Sequence, residues 1–206
     1  HKITTVKNSI RALLKSRGFG RPCHKGSWWK KANRDWMRRL SDQMEEQSVS
    51  LFMIHLGNFL DELNIFQEQL KRVTKYLDEY LEGKEGSEIL LSIPGVGPRT
   101  TEAVLAYTDD VERFSSYKEY CSYFGVTPRL DESGESRRLG HISKKGPSVV
   151  RWVLCESSWK VIYKSKALKV FYERVMSGQK SRKKIAIVAV SRKLLCIMRA
   201  MLKSGQ

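Results

Sequence analysis

From Phe52 to Tyr80 the apolar residues Phe52, Leu56, Phe59, Leu63, Phe66, Leu70, Val73, Leu77 and Tyr80 alternate spacings of four and three without a break. Only an α-helix gathers such a series onto one side, and a mean period of about 3.5 residues is the seam of a coiled coil. The pattern predicts one long helix over about residues 48–82. Its seam has to be covered, either by the preceding helices folded back or by the same helix of a second copy. A helix of this length outruns the two short segments before it, which favours self-association into a dimer or tetramer. Phenylalanine at several seam positions leaves the strand number open.

The flanking segments are also helical in pattern. Residues 2–17 carry Ile3, Val6, Ile10, Leu13 and Leu14 at helical spacing and stop at Gly18 and Gly20. A connector over 19–27 leads to an amphipathic segment where Trp28, Trp29, Trp36, Met37 and Leu40 sit beside Lys30, Lys31, Arg34, Arg38 and Arg39; the tryptophans read as packing anchors. Residues 83–86 break the long helix and 87–91 start a new turn. The run Ile93-Pro94-Gly95-Val96-Gly97-Pro98 then makes a hairpin before a helix capped by Thr100, with Glu102 in its first turn. Further helices are expected over 117–124, 148–163, 167–176 and 183–202, with a loop or small hairpin over 127–140. The predicted class is all-α, a long coiled-coil helix (1–84) plus a compact helical domain containing a helix-hairpin-helix (85–206).

The net charge of +16 is unevenly spread, since residues 137–206 hold 18 Lys and Arg against only Glu156 and Glu173. That last third is the expected polyanion-binding part, because its cations are interleaved with Trp152, Trp159, Tyr163, Phe171 and Tyr172. A solvated face is the plainer alternative. Cys23, Cys121, Cys155 and Cys196 lie far apart with no CxxC pair, which argues against a zinc knuckle or a secreted disulfide framework and for a reduced, cytoplasmic compartment. No apolar run reaches bilayer length, so no membrane partner is expected. The chain opens on His1 and not on methionine, so further sequence upstream is expected.

Two elements carry the chemistry. Gly95 and Gly97 can take positive φ and let backbone N–H groups face a phosphate; the alternative is a tight interhelical turn without a ligand. In Gly140-His141-Ile142-Ser143-Lys144-Lys145-Gly146 a hydroxyl lies among cations, with Arg137, Arg138 and Arg151 nearby. A serine attacks a phosphodiester only when its proton is accepted and the developing charge is offset, so Ser143 is a candidate nucleophile and these cations candidate phosphate ligands. Capping or phosphate contact are its other readings, and Ser133, Ser136 and Ser148 lie close by. Glu102, Asp109 and Asp110 read as helix-terminal and surface groups, leaving no metal site.

The ordered motifs Leu91-Ser92-Ile93-Pro94-Gly95-Val96-Gly97-Pro98, Phe114, Tyr123-Phe124-Gly125-Val126-Thr127-Pro128-Arg129, Ser133-Gly134 and Gly140 to Gly146 resemble the C-terminal domain of IS116/IS110/IS902-type transposases. The likeness runs over roughly 85–201, and the Lys7-Asn8 helix and long helix resemble the family's segment between its two catalytic domains. The resemblance implies an insertion-sequence recombinase that binds DNA, some members being guided by a structured bridge RNA. It further implies a composite site between an N-terminal RuvC-like domain, whose acids bind Mg²⁺, and a serine from the C-terminal domain. Carried onto this chain, that serine falls on Ser143, with Ser133 the runner-up. Pro147 and Ser148 stand where the family usually has Asn or Asp, and no RuvC-like domain is present. The competing expectation is a non-catalytic DNA- or RNA-binding or scaffolding module derived from such a transposase; a piece of a full enzyme is a third.

Overall fold

The computed structural model describes residues 1–42, 51–133 and 136–205, with the backbone alone over 130–133 and 136–139. Two compact units divide the chain, His1–Tyr76 and Leu77–Gln206. The first holds α1 (Lys2–Ser16), α2 (Lys31–Asp42) and most of α3 (Leu51–Glu82). The proposed start of the long helix near residue 48 lies outside the described residues.

Unit 1 is built on one apolar cluster. Val6, Ile10 and Leu14 of α1 and Met37 of α2 pack on Phe52, Leu56, Leu60 and Leu63 of α3, with Trp28, Trp29 and Trp36 against the edge. The tryptophans are therefore anchors, as their positions suggested. Buried Asn33 ties down the connector between α1 and α2: its Oδ1 accepts from the His24 N–H at 2.7 Å, and its Nδ2 donates to the carbonyls of His24 and Ser27. Across the unit Arg38 pairs with Asp61 and Arg34 donates to Asn64 Oδ1. The seam of α3 is thus covered within one chain over its first half, where self-association had been favoured. Its second half is bare, with Leu70, Val73, Leu77 and Tyr80 exposed.

Unit 2 continues with α4 (Ser87–Leu91), α5 (Pro98–Thr108), α6 (Tyr117–Tyr123), β1 (Pro128–Ser133), β2 (Ser136–Ile142), α7 (Ser148–Lys164), α8 (Lys166–Met176) and α9 (Lys183–Ser204). The strands form one antiparallel ribbon, Leu130 opposite Leu139 and Asp131 opposite Arg138. This is the small hairpin alternative for 127–140. α9 is the central element and packs on α4, α6, α7 and α8. Leu194, Leu195 and Met198 on α9, Leu154 on α7 and Leu90 on α4 are fully buried, each removing apolar surface worth about 1.5–3 kcal/mol. α7 crosses its neighbours closely because serines stand at the crossings. Ser157 Oγ lies 2.7 Å from Thr100 Oγ1 on α5, and Ser158 Oγ lies 2.9 Å from Ser191 Oγ on α9.

Candidate nucleic-acid interface

The turn between α4 and α5 closes on the Val96 N–H, which donates to the Ile93 carbonyl at 3.0 Å. Gly95 has φ +100°, and a Cβ there would stand 2.9 Å from the backbone nitrogen of Val161. Its glycine is demanded by the turn and by the close approach of α7. Gly97 departs from expectation: it is extended at φ −119°, and a Cβ on it would meet nothing within 4 Å. With Pro98 fixing the first helical φ, α5 starts ahead of Thr100. Thr100 is therefore no cap but a buried side chain bonded to Ser157.

Glu102 is buried as well, not a surface group, and Arg99 Nη1 lies 2.8 Å from its Oε1. Burial holds its carboxyl above the ordinary carboxylate value, with Arg99 pulling the other way. Arg99 also pairs with Asp78, so its charge is already answered. What stays open is backbone. Among the described residues the N–H groups of Gly95 and Gly97 have no acceptor, and Gly97 stands at the N-terminal end of α5, where the helix dipole favours an anion.

The serine loop is pinned to the end of α6. Ser143 N–H donates to the Thr127 carbonyl at 2.8 Å and Lys144 N–H to that of Gly125 at 3.2 Å. Gly146 fits so tightly that a Cβ would fall 2.1 Å from the Tyr123 carbonyl oxygen. Arg151, expected to meet phosphate, instead donates Nη1 to the carbonyls of Phe124, at 3.3 Å, and Gly146. It clamps the loop from within. Below lie edge-to-face rings, Phe114 on Tyr120 at 4.9 Å and Tyr120 on Phe124 at 5.0 Å. The Tyr120 hydroxyl bonds Thr108 Oγ1, and burial pushes its pKa up to about 12. The motif residues Phe114, Phe124, Gly125 and Gly146 thus act as a platform for the loop.

Ser143 is half-buried; its Oγ has no exposed surface and no hydrogen-bond partner. A hydroxyl displayed among cations was expected; here it is covered, while Lys144 and Lys145 point to solvent. A buried, unpaired hydroxyl costs about 1–3 kcal/mol. Ser133 lies on β1 and Arg137 and Arg138 on β2, with their side chains outside the described residues, as is Gly134. The two motif ends are not brought together. Gly95 rests on Val161, whereas the serine loop enters α7 at Ser148, a separation of roughly 20 Å along that helix.

Of the aromatics that the sequence interleaves with cations, Trp152 and Tyr163 share the outer face of α7. Val149, Trp152, Glu156, Lys160 and Tyr163 are exposed there, Trp152 at 65% and Tyr163 at 82%, while nearby Trp159 packs on Tyr172. The spacing of these positions along the helix was the available signal. Exposed rings beside cations suit base stacking. Among the described residues no group of three or more His, Cys, Asp or Glu side chains could hold a metal ion. No helix described is long and apolar enough to cross a membrane.

Comparison with known proteins bears on the same segment. Residues 87–173 match the transposase IS116/IS110/IS902 family. The "probable family 20 transposase" of Pseudomonas aeruginosa is 27% identical over 136 residues, 66% of this chain and 40% of that protein. An insertion element IS110 protein of Streptomyces coelicolor is 25% identical, with 80% of this chain and 42% of that protein covered. The pilin gene-inverting protein of Moraxella lacunata is 31% identical over 122 residues, 58% of this chain and 38% of that protein. The chain spans about two fifths of the length of these relatives. Over residues 87–173 the chain is thus similar to the IS116/IS110/IS902 transposase family.

Proposed function

We propose that this chain is the DNA-holding part of an insertion-sequence recombinase that cuts and rejoins strands through a serine. The observation that carries the reading is the family match over 87–173, which encloses a hairpin whose Gly95 and Gly97 amides are unanswered at a helix start. Those amides position a phosphate without reading sequence. Lys144 and Lys145, with Arg137 and Arg138, offset phosphate charge, and Trp152 and Tyr163 offer stacking faces to an unpaired DNA strand or a structured guide RNA. A second copy of the chain completes the assembly through α3. The Mg²⁺ of this reading belongs to a RuvC-like domain.

Ser143 is the nucleophile of the proposal and Ser133 its alternative. The unpaired state of the Ser143 hydroxyl supports this role, since no internal acceptor has to be given up. Its cover has to move before a phosphodiester reaches it. That cover equally favours a second reading, a non-catalytic DNA- or RNA-binding module in which Ser143 only shapes the loop. A covalent-adduct assay with labelled donor DNA, on the full-length protein containing this chain, separates them. Attack by Ser143 forms a serine–phosphate ester and releases a free strand hydroxyl, so wild type carries label and Ser143→Ala does not, while DNA binding persists. Label retained by Ser143→Ala and lost by Ser133→Ala transfers the role; no adduct in wild type, with binding intact, establishes the non-catalytic module.

A further inference from the structure

The first 34 positions contain ten Lys and Arg and no acidic residue; Asp35 is the first acid of the chain. Unit 1, His1–Tyr76, carries 15 Lys and Arg against 7 Asp and Glu, so this third of the chain holds +8 of the total +16. We infer that the outward face of α1 is a second polynucleotide-binding surface, distinct in sequence from the basic last third and contacting the phosphate backbone. The inference rests on the DNA-handling reading above for the choice of polyanion.

The inner face of α1 is spent on the core through Val6, Ile10 and Leu14. Many cations of the unit are also engaged: Lys2 lies over Phe66, Lys7 over Trp29 and Arg17 over Phe52, while Arg34 and Arg38 bond α3. On the other side of α1, Asn8, Arg11, Ala12 and Lys15 line a shallow groove of about 320 Å³. Arg11 Nη2 donates to Asn8 Oδ1 at 2.6 Å, which steadies the guanidinium at the groove edge. The small Ala12 side chain leaves room between the cations.

Lys7, Arg11 and Lys15 stand four residues apart on a helix that carries no acid. Like charges at that spacing repel and weaken a helix, and a surface helix is ordinarily relieved by alternating Glu and Lys. α1 has no such relief within itself, and a row of phosphates supplies it. The connector after α1 adds exposed Arg21, Lys25 and Lys30, again without an acid. An anionic membrane fits less well, because α1 has no large apolar residue exposed on its outer face to insert.

The test uses the whole chain, a short labelled DNA duplex, a labelled RNA hairpin and vesicles of anionic phospholipid, each titrated across a range of salt. Arg11→Gln/Lys15→Gln is compared with Lys144→Gln/Lys145→Gln; glutamine keeps helix propensity, and circular dichroism checks the fold. We expect Arg11→Gln/Lys15→Gln to raise Kd about tenfold at low salt and to reduce the log–log salt slope on duplex DNA by about 1.8, the loss of two phosphate contacts. The DNA and RNA arms show which polynucleotide uses the site. Unchanged Kd and slope, or binding to vesicles in place of both polynucleotides, overturns the inference. If only Lys144→Gln/Lys145→Gln weakens binding, the α1 surface falls and the reading of unit 2 stands. If only Arg11→Gln/Lys15→Gln does, the α1 surface stands and the role given to Lys144 and Lys145 falls. A chain that binds no polynucleotide removes both.

Discussion

Two glycines two residues apart, Gly95 and Gly97, do different work. Gly95 combines φ +100° with a Cβ position 3.0 Å from Val161 Cα, so alanine there meets both backbone strain and a helix that cannot retreat. Gly97 is extended with open space around it. Gly95→Ala is expected to lower stability by at least about 1–2 kcal/mol, seen as a lower urea midpoint. Gly97→Ala should stay within about 0.5 kcal/mol of wild type yet weaken DNA binding, because its methyl stands where a phosphate approaches the amide. A Gly97→Ala protein that binds DNA as wild type does would remove the hairpin amides from the interface. The motif itself was legible in the sequence; which glycine served packing and which could face a ligand was not, because the difference depends on Val161, a residue far along the chain.

At the scale of elements, helices were readable wherever one face repeated, as in α1, α3 and α9. The start of α5 was misread because Thr100 looks like a cap, whereas Pro98 after an extended Gly97 already begins the helix. Contacts between distant elements left no trace in pattern. Cys121 on α6 and Cys196 on α9 stand 75 positions apart, yet their sulfurs lie 3.5 Å from each other. A hydrogen bond from the Cys121 thiol, with Arg192, Lys193 and Arg199 nearby, pulls the Cys196 thiol down to about 6 from an ordinary 9.0. Its bond to Cys196 and burial hold Cys121 up in turn. Between these two pH values the unfolded chain keeps a proton that folded Cys196 has lost, so stability from Cys196 rises from about pH 6 to about pH 9 and is lost as pH falls through 6. Above about pH 9 the raised thiol of Cys121 reverses the trend. Urea midpoints of wild type should therefore climb over that window more steeply than those of Cys196→Ala; parallel curves for the two proteins would discard the thiolate.

At the scale of the molecule, α3 is the element whose second half has no cover of its own. Unit 1 consumes the seam through Phe52, Leu56 and Leu63, but Leu70, Val73 and Tyr80 are about half exposed and Leu77 is 37% exposed. The heptad places Leu70 and Leu77 at one core position and Val73 and Tyr80 at the other. Gln69, Thr74 and Tyr76 then fall on the flanks of the seam, while Lys71, Arg72, Lys75, Asp78 and Glu79 fall on its outer side. No like charges oppose one another when two copies of this helix pair, and the apolar strip continues a seam that is already closed upstream. A water-exposed run of this kind is costly for a single copy, which favours a second chain as its cover. The protein is expected to sediment as a dimer or tetramer at micromolar concentration. Leu70→Glu/Val73→Glu/Leu77→Glu should convert it to a monomer with unchanged helix content, since none of the three side chains belongs to either core. A wild-type protein that remains monomeric throughout that range, or a triple variant that still associates, would show that α3 does not join two copies.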